Sequence, residues 1–167
     1  MSLEGKTAVV IGASGQHNFG VAIAKALANE GTKVIVSGRR QAPLETLASE
    51  IGGIAIPSDM GDEASIQSLF QSASEQAGPV HIAINSAGAL AGNPIAALTR
   101  EAIQPTLDVS FIGALLMFKY AAEVMSEGGS IMTISSLTAR LPGPGLAVYA
   151  AARAGIDYAI KIAAVEY

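Results

Sequence analysis

The sequence predicts an α/β fold in which a parallel sheet is wound outward in both directions and covered by helices on both faces. Two observations predict it. Short β-rich runs alternate with helical patterns along the whole chain. Those runs, such as TAVVI and KVIVS, are too apolar to leave one face in water, which is how strands of a parallel sheet read when right-handed crossovers cover them.

Thr7 to Ile11 reads as the first strand and ends at a glycine, and Val21 to Asn29 reads as a helix stopped by Gly31. Lys33 to Ser37 is the second strand. The helix after it carries Leu44, Leu47 and Ile51 at i, i+3 and i+7. Ile54 to Ile56 is a weaker third strand, after which Asp62 can cap a helix with Ile66, Leu69, Phe70 and Ala73 on one stripe. Val80 to Asn85 is the fourth strand. A long helical region follows, with Thr99 as its cap, Pro105 as a kink, and Leu107, Phe111, Leu115 and Phe118 on the packing side. Ser130 to Ser135 is the fifth strand, and the loop LPGPG leads into a final helix that begins near Tyr149. No repeat or linker-like stretch interrupts the series, so residues 1–167 are expected to form a single domain.

Composition narrows the function classes. Half of the 167 residues are hydrophobic and 14% are charged, the balance of a well-buried globule. The absence of cysteine removes disulfide scaffolds, thiolate metal sites and a cysteine nucleophile, and it fits a cytoplasmic protein. No metal is expected. A net charge of -4 with scattered Lys and Arg offers no basic stripe for nucleic acid. No segment approaches the run of about 18 apolar residues that marks a membrane span, so no membrane partner is expected either.

In a doubly wound sheet, ligands bind beyond the carboxyl ends of the strands, where the strand order reverses. The loops to inspect follow Ile11, Ser37, Ile56, Asn85 and Ser135. The first, GASGQHNFG from Gly12 to Gly20, has glycines that allow close backbone approach to a phosphate at a helix start. Its spacing differs from G-x-G-x-x-G, and a tight turn alone would also explain it. The second, GRR from Gly38 to Arg40, lacks the carboxylate that binds ribose hydroxyls and instead offers arginines suited to a 2′-phosphate. A solvated arginine pair is the alternative. Tyr149 and Arg153 stand four apart, on one face of a helix, either as an acid with its cation or as two solvated residues.

The ordered series IGASG, SGRR, SDM, INSAG, SIMTISS and YAAAR resembles the short-chain dehydrogenase/reductase family over nearly the whole chain. The resemblance implies a Rossmann-type fold, three layers α/β/α with about five strands, that binds a nicotinamide dinucleotide. It puts the family's glycine loop on Gly12, Ser14, Gly15 and Gly20, with Phe19 at the position whose backbone N–H meets the pyrophosphate. This loop is two residues longer than the usual T-G-x-x-x-G-x-G. Arg39 takes the place that reads a 2′-phosphate, so NADP(H) is favoured and NAD(H) remains possible. Asp59 and Met60 take the adenine-contacting place, and Asn85, Ala87 and Gly88 match the N-N-A-G signature with Ser86 in its second position. Read alone, Asp59 could be a helix-end cap and Asn85 a strand-end turn.

The catalytic serine of the resemblance falls on Ser136, thirteen residues before Tyr149. Hydride transfer between a nicotinamide ring and a carbonyl or alcohol needs a partner that moves a proton to or from oxygen. A tyrosine hydroxyl does this when a neighbouring cation favours phenolate, and a serine hydroxyl beside it can hold the substrate oxygen. Tyr149 is therefore expected as the acid/base and Ser136 as the substrate orienter. Two residues of the proton path depart from the family: its lysine is Arg153, and the helix asparagine is Ser110. Tyr149 and Arg153 are also expected to contact the cofactor, since arginine keeps the charge and its fork could reach ribose hydroxyls, although it is not interchangeable with lysine. The family also continues with further strands and a substrate-covering region after the helix that ends this sequence, so the chain is expected to be a piece of a longer one.

Three functions remain in view. The leading one is an oxidoreductase acting on a small-molecule carbonyl or alcohol. The next is a dinucleotide-binding protein with little turnover, a sensor or an assembly subunit. A flavin or nucleotide binder, which would have no use for Ser136 beside Tyr149, comes last. The resemblance and the apolar helices at 107–118 and 156–164 imply a homodimer or homotetramer, although those stripes could equally be the core side of each helix.

Overall fold

The computed structural model describes residues 2–15 and 18–167; Gln16 and His17, in the middle of the first glycine loop, lie outside them. Five strands, β1 (Thr7–Ile11), β2 (Lys33–Gly38), β3 (Ile54–Pro57), β4 (Val80–Asn85) and β5 (Met125–Thr133), form one sheet in the order β3-β2-β1-β4-β5. Every neighbouring pair is parallel. The chain winds from β1 out to β3, then returns to the other side of β1 to place β4, so the strand order reverses between β1 and β4. This is the doubly wound sheet that the alternating pattern predicts and the Rossmann-type topology that the resemblance implies.

The alternation of side chains along β1 and β2 explains why both strands are apolar throughout. Val10, Val34 and Val36 pack against α1 (Phe19–Asn29) and α2 (Gln41–Ile51) through Ala24, Leu44 and Leu47. Val9, Ile11, Ile35 and Ala83 point the other way, toward α3 (Glu63–Ala77), α5 (Gly113–Val124) and α6 (Ala147–Glu166). There Ile66, Phe70, Met117 and Ile156 are each at most 1% exposed. The result is three layers, with the core on both sides of the sheet.

Several boundaries differ from those expected. Helix α1 begins at Phe19 rather than Val21, because Asn18 caps it by accepting the Val21 N–H at 2.9 Å. Strand β5 starts at Met125 and stops at Thr133, not at Ser130 and Ser135: a bulge lets Met125 pair with Val80 and Ser130 with Ile82, and the Ser136 side chain then caps a 3₁₀ turn at Leu137–Ala139. Helix α6 starts at Ala147, two residues before Tyr149.

The long helical region is split. Helix α4 (Arg100–Leu107) contains Pro105, which has no N–H to return to the preceding turn, and a π turn at Asp108–Ile112 follows before α5. The extra residue of that turn rotates the buried face, so Ser110, Ala114, Met117 and Ala121 are buried, whereas Leu115 is exposed and Leu107 and Phe111 are half-buried. Phe118 alone of the expected stripe is fully in the core.

The π turn is built on Gly113, whose absent Cβ would lie against the Met60 carbonyl oxygen. Gly113→Ala should therefore cost about 1–3 kcal/mol by overpacking backbone against backbone, read as a lower urea midpoint at unchanged slope.

Candidate functional site

At the carboxyl ends of β1 and β4 the two segments touch backbone to backbone. Gly12 turns with φ of +88°, a conformation suited to glycine, and a Cβ there would strike Ser86 and the Ala87 amide. Gly20, in the first turn of α1, packs on the Gly12 carbonyl and Ser86 Oγ in the same way. The Ser86 amide and hydroxyl both donate to Ile11 O, at 2.9 and 2.8 Å. Asn18 closes the loop from the other end by donating from Nδ2 to Gly12 O at 2.7 Å.

These contacts leave a cavity of about 570 Å³ over the strand ends. Gly12, Ser14 and Gly15 form its floor after β1, and Arg39 and Arg40 stand at its edge after β2. Asp59 and Met60 close it after β3, with Ala87 and Gly88 after β4. Arg40 donates to the Ser14 carbonyl and so ties the second loop to the first. The acidic group of the lining, Asp59, already accepts the Gly61 N–H through Oδ1 at 2.9 Å. Two guanidinium groups, a helix start and small residues that admit backbone make a cavity suited to an extended anion. Met60 and Val109 supply apolar surface.

Of the residues singled out from the sequence, Gly12, Ser14, Gly15, Arg39, Asp59, Met60, Ala87 and Gly88 line this cavity. Gly20 and Asn85 lie behind it as supports, and Phe19 is 72% exposed at the start of α1. Asn85 is buried at the end of β4, where Oδ1 accepts the Ala87 N–H at 2.9 Å and Nδ2 has no partner.

Tyr149 sits half-buried in the first turn of α6, and the Arg153 guanidinium lies 5.2 Å from its ring centre. Arg153 itself is only 4% exposed: Nη2 donates to Ala87 O at 2.8 Å, while Nε and Nη1 are enclosed without a partner. Ser110 is fully buried and bonds both backbone groups of Ala89. Ser136 Oγ accepts from the Thr138 amide at 3.3 Å and from Thr138 Oγ1 at 2.9 Å, so its own O–H remains available to another acceptor.

Asn18, Ser58 and Ala89 also belong to the site and were not singled out from the sequence, where Arg40 and Ser86 stood only as neighbours of Arg39 and of the N-N-A-G match. Asn18 carried a readable signal, an asparagine directly before a helix. The bond that sets the place of Ser86 was not readable, since its partner Ile11 is 75 residues away.

Comparison with known proteins places relatives beside this geometry. The family described as Enoyl-(Acyl carrier protein) reductase matches residues 12–167. An uncharacterized oxidoreductase of Methylorubrum extorquens is 34% identical over 161 residues, which cover 93% of this chain and 64% of that protein. The NADP-dependent (R)-specific alcohol dehydrogenase of Lentilactobacillus kefiri is 31% identical over 171 residues, covering 98% of this chain and 67% of that one. A short chain dehydrogenase from Burkholderia cenocepacia, solved in complex with NADP, superposes with a TM-score of 0.86 at 31% identity, covering 93% of this chain and 66% of that one. The chain thus spans about two thirds of the length of these relatives.

Asn18→Ala removes both the cap on α1 and the bond to Gly12 O, and should cost about 1–2 kcal/mol of unfolding free energy. Asn18→Asp restores the cap without the second bond, so its denaturation midpoint should fall between the two.

Proposed function

Because the chain belongs to the short-chain dehydrogenase/reductase family, we propose that it is an oxidoreductase that uses NADP(H), in preference to NAD(H), to interconvert a carbonyl and an alcohol. The observation that carries this reading is the cavity at the reversal of strand order, with glycine backbone on its floor and Arg39 and Arg40 at its edge. The residues present fit such a cofactor. The glycine turn lets phosphates approach backbone amides at the start of α1, and the guanidinium groups after β2 match a 2′-phosphate where a carboxylate would favour a free ribose diol. The cofactor named for the Lentilactobacillus enzyme and bound in the Burkholderia structure supports the same preference.

Bound there, the nicotinamide would supply or accept the hydride at the substrate carbon. Tyr149 holds the proton that the oxygen takes up when a carbonyl is reduced, and receives it when an alcohol is oxidised. Ser136 donates its O–H to the same oxygen and fixes its position; Thr138, which donates to Ser136, keeps that hydroxyl oriented. Arg153 brings positive charge to the Tyr149 ring. Pairing of copies through α5 and α6, where Leu115 and Ile162 are exposed, accords with a homo-oligomer.

One observation favours a second reading, a dinucleotide-binding protein with little turnover: the Arg153 nitrogens that a proton path would use are enclosed. Two variants separate the readings. Arg39→Ala should weaken NADPH at least tenfold, about 1.4 kcal/mol, and leave NADH within about twofold; equal losses would mean that Arg39 does not read the phosphate. Tyr149→Phe should abolish carbonyl reduction, a loss of about a hundredfold or more, while NADPH binding persists. Unchanged turnover in Tyr149→Phe would end the acid/base assignment.

A further inference from the structure

Ser110 and Arg153, the two positions of the proton path at which the chain departs from its family's pattern, come from different elements and reach the same short stretch of backbone. Arg153 in α6 donates from Nη2 to Ala87 O at 2.8 Å. Ser110 in the π turn accepts the Ala89 N–H at 3.0 Å and donates to Ala89 O at 3.1 Å. Asn85, at the end of β4, takes the Ala87 N–H. Both backbone groups of Ala87 and both of Ala89 are therefore held by side chains.

Gly88 lies between them. A Cβ at Gly88 would fall on Arg153 Nη2, with Ser110 Oγ 3.8 Å away. The missing side chain is thus the space into which the guanidinium fits. On its other side the loop forms a wall of the cavity, through Ala87, Gly88 and Ala89. Arg153 does not open onto that cavity: it is 4% exposed, and Nε and Nη1 are enclosed. Its contact with anything in the cavity runs through the loop.

We propose that Arg153 and Ser110 are positioning residues for the nicotinamide cofactor: together they set where the Ala87–Ala89 backbone stands, and Arg153 does so from the space left by Gly88. The chain thereby turns two positions of a proton path into supports of the binding wall. Arginine serves this where lysine would not, because its planar fork fills the space beneath the glycine while one nitrogen donates to the carbonyl. This inference rests on the cofactor reading above and not on turnover.

A double-mutant cycle tests it, with NADPH affinity followed by nucleotide fluorescence on protein kept well below its unfolding temperature. Gly88→Ala should weaken NADPH about tenfold or more when Arg153 is present, and by no more than about twofold when Arg153 is already alanine. Ser110→Ala should weaken NADPH several-fold without changing the number of sites. Equal losses from Gly88→Ala in both backgrounds would overturn the proposal, because the new methyl would then act on the ligand directly. So would unchanged affinity in Arg153→Ala with only a lower unfolding temperature, which is what a merely structural residue would give. If the unaltered protein binds no NADPH, the cofactor reading fails and this inference fails with it as a statement about positioning; unchanged NADPH binding without turnover would remove only the assigned chemistry. Should Gly88→Ala not fold, Arg153→Met, which keeps bulk but no donor, must still lose affinity tenfold for the proposal to stand.

Discussion

The close approach of β1 to the turn after β4 is the constraint on which the site depends. Gly12 at positive φ, Gly20 in the first turn of α1 and the two bonds from Ser86 to Ile11 O leave no room for side chains between these segments. That contact fixes the floor of the cavity, the entry of α1 and the position of the Ala87–Ala89 wall at once. It forms where the strand order reverses, so the topology itself opens a crevice that the flanking helices do not fill.

Charge is distributed unevenly around that crevice. Arg39 and Arg40 are exposed at its rim, where they keep their hydration and can exchange water for a ligand phosphate. Arg153 is the opposite case. Enclosing a guanidinium costs several kcal/mol, and one bond to Ala87 O offsets only part of this. The Arg153 fork fills the space that a side chain at Gly88 would otherwise take. The same residue thus bears on two features of the site, the Tyr149 ring at 5.2 Å and the loop facing the cavity.

The layers and the parallel, doubly wound sheet were legible in the sequence because they follow from local pattern, and much of the cavity lining was legible through the family resemblance. Apolar runs mark strands closed on both faces, and Asp62 and Thr99 cap their helices as their positions predict, by accepting from Ser65 and Ala102. Features set by contacts distant in sequence were not legible. The bulge in β5 depends on its pairing with β4, and the π turn on the approach of Gly113 to Met60. The burial of Arg153 depends on a loop 66 residues away, so helical spacing from Tyr149 placed it beside the ring but could not show which way the fork turns.

We propose that this crevice receives a phosphorylated dinucleotide on glycine backbone between Arg39 and the Ala87–Ala89 wall. Titration of the unaltered protein with NADPH and with NADH, followed by nucleotide fluorescence at one ionic strength, tests it most directly. Saturable binding of both is expected, with NADPH tighter by about tenfold or more, in keeping with a charge-assisted contact to the additional phosphate. Tighter binding of NADH, or no saturable binding of either, would contradict it.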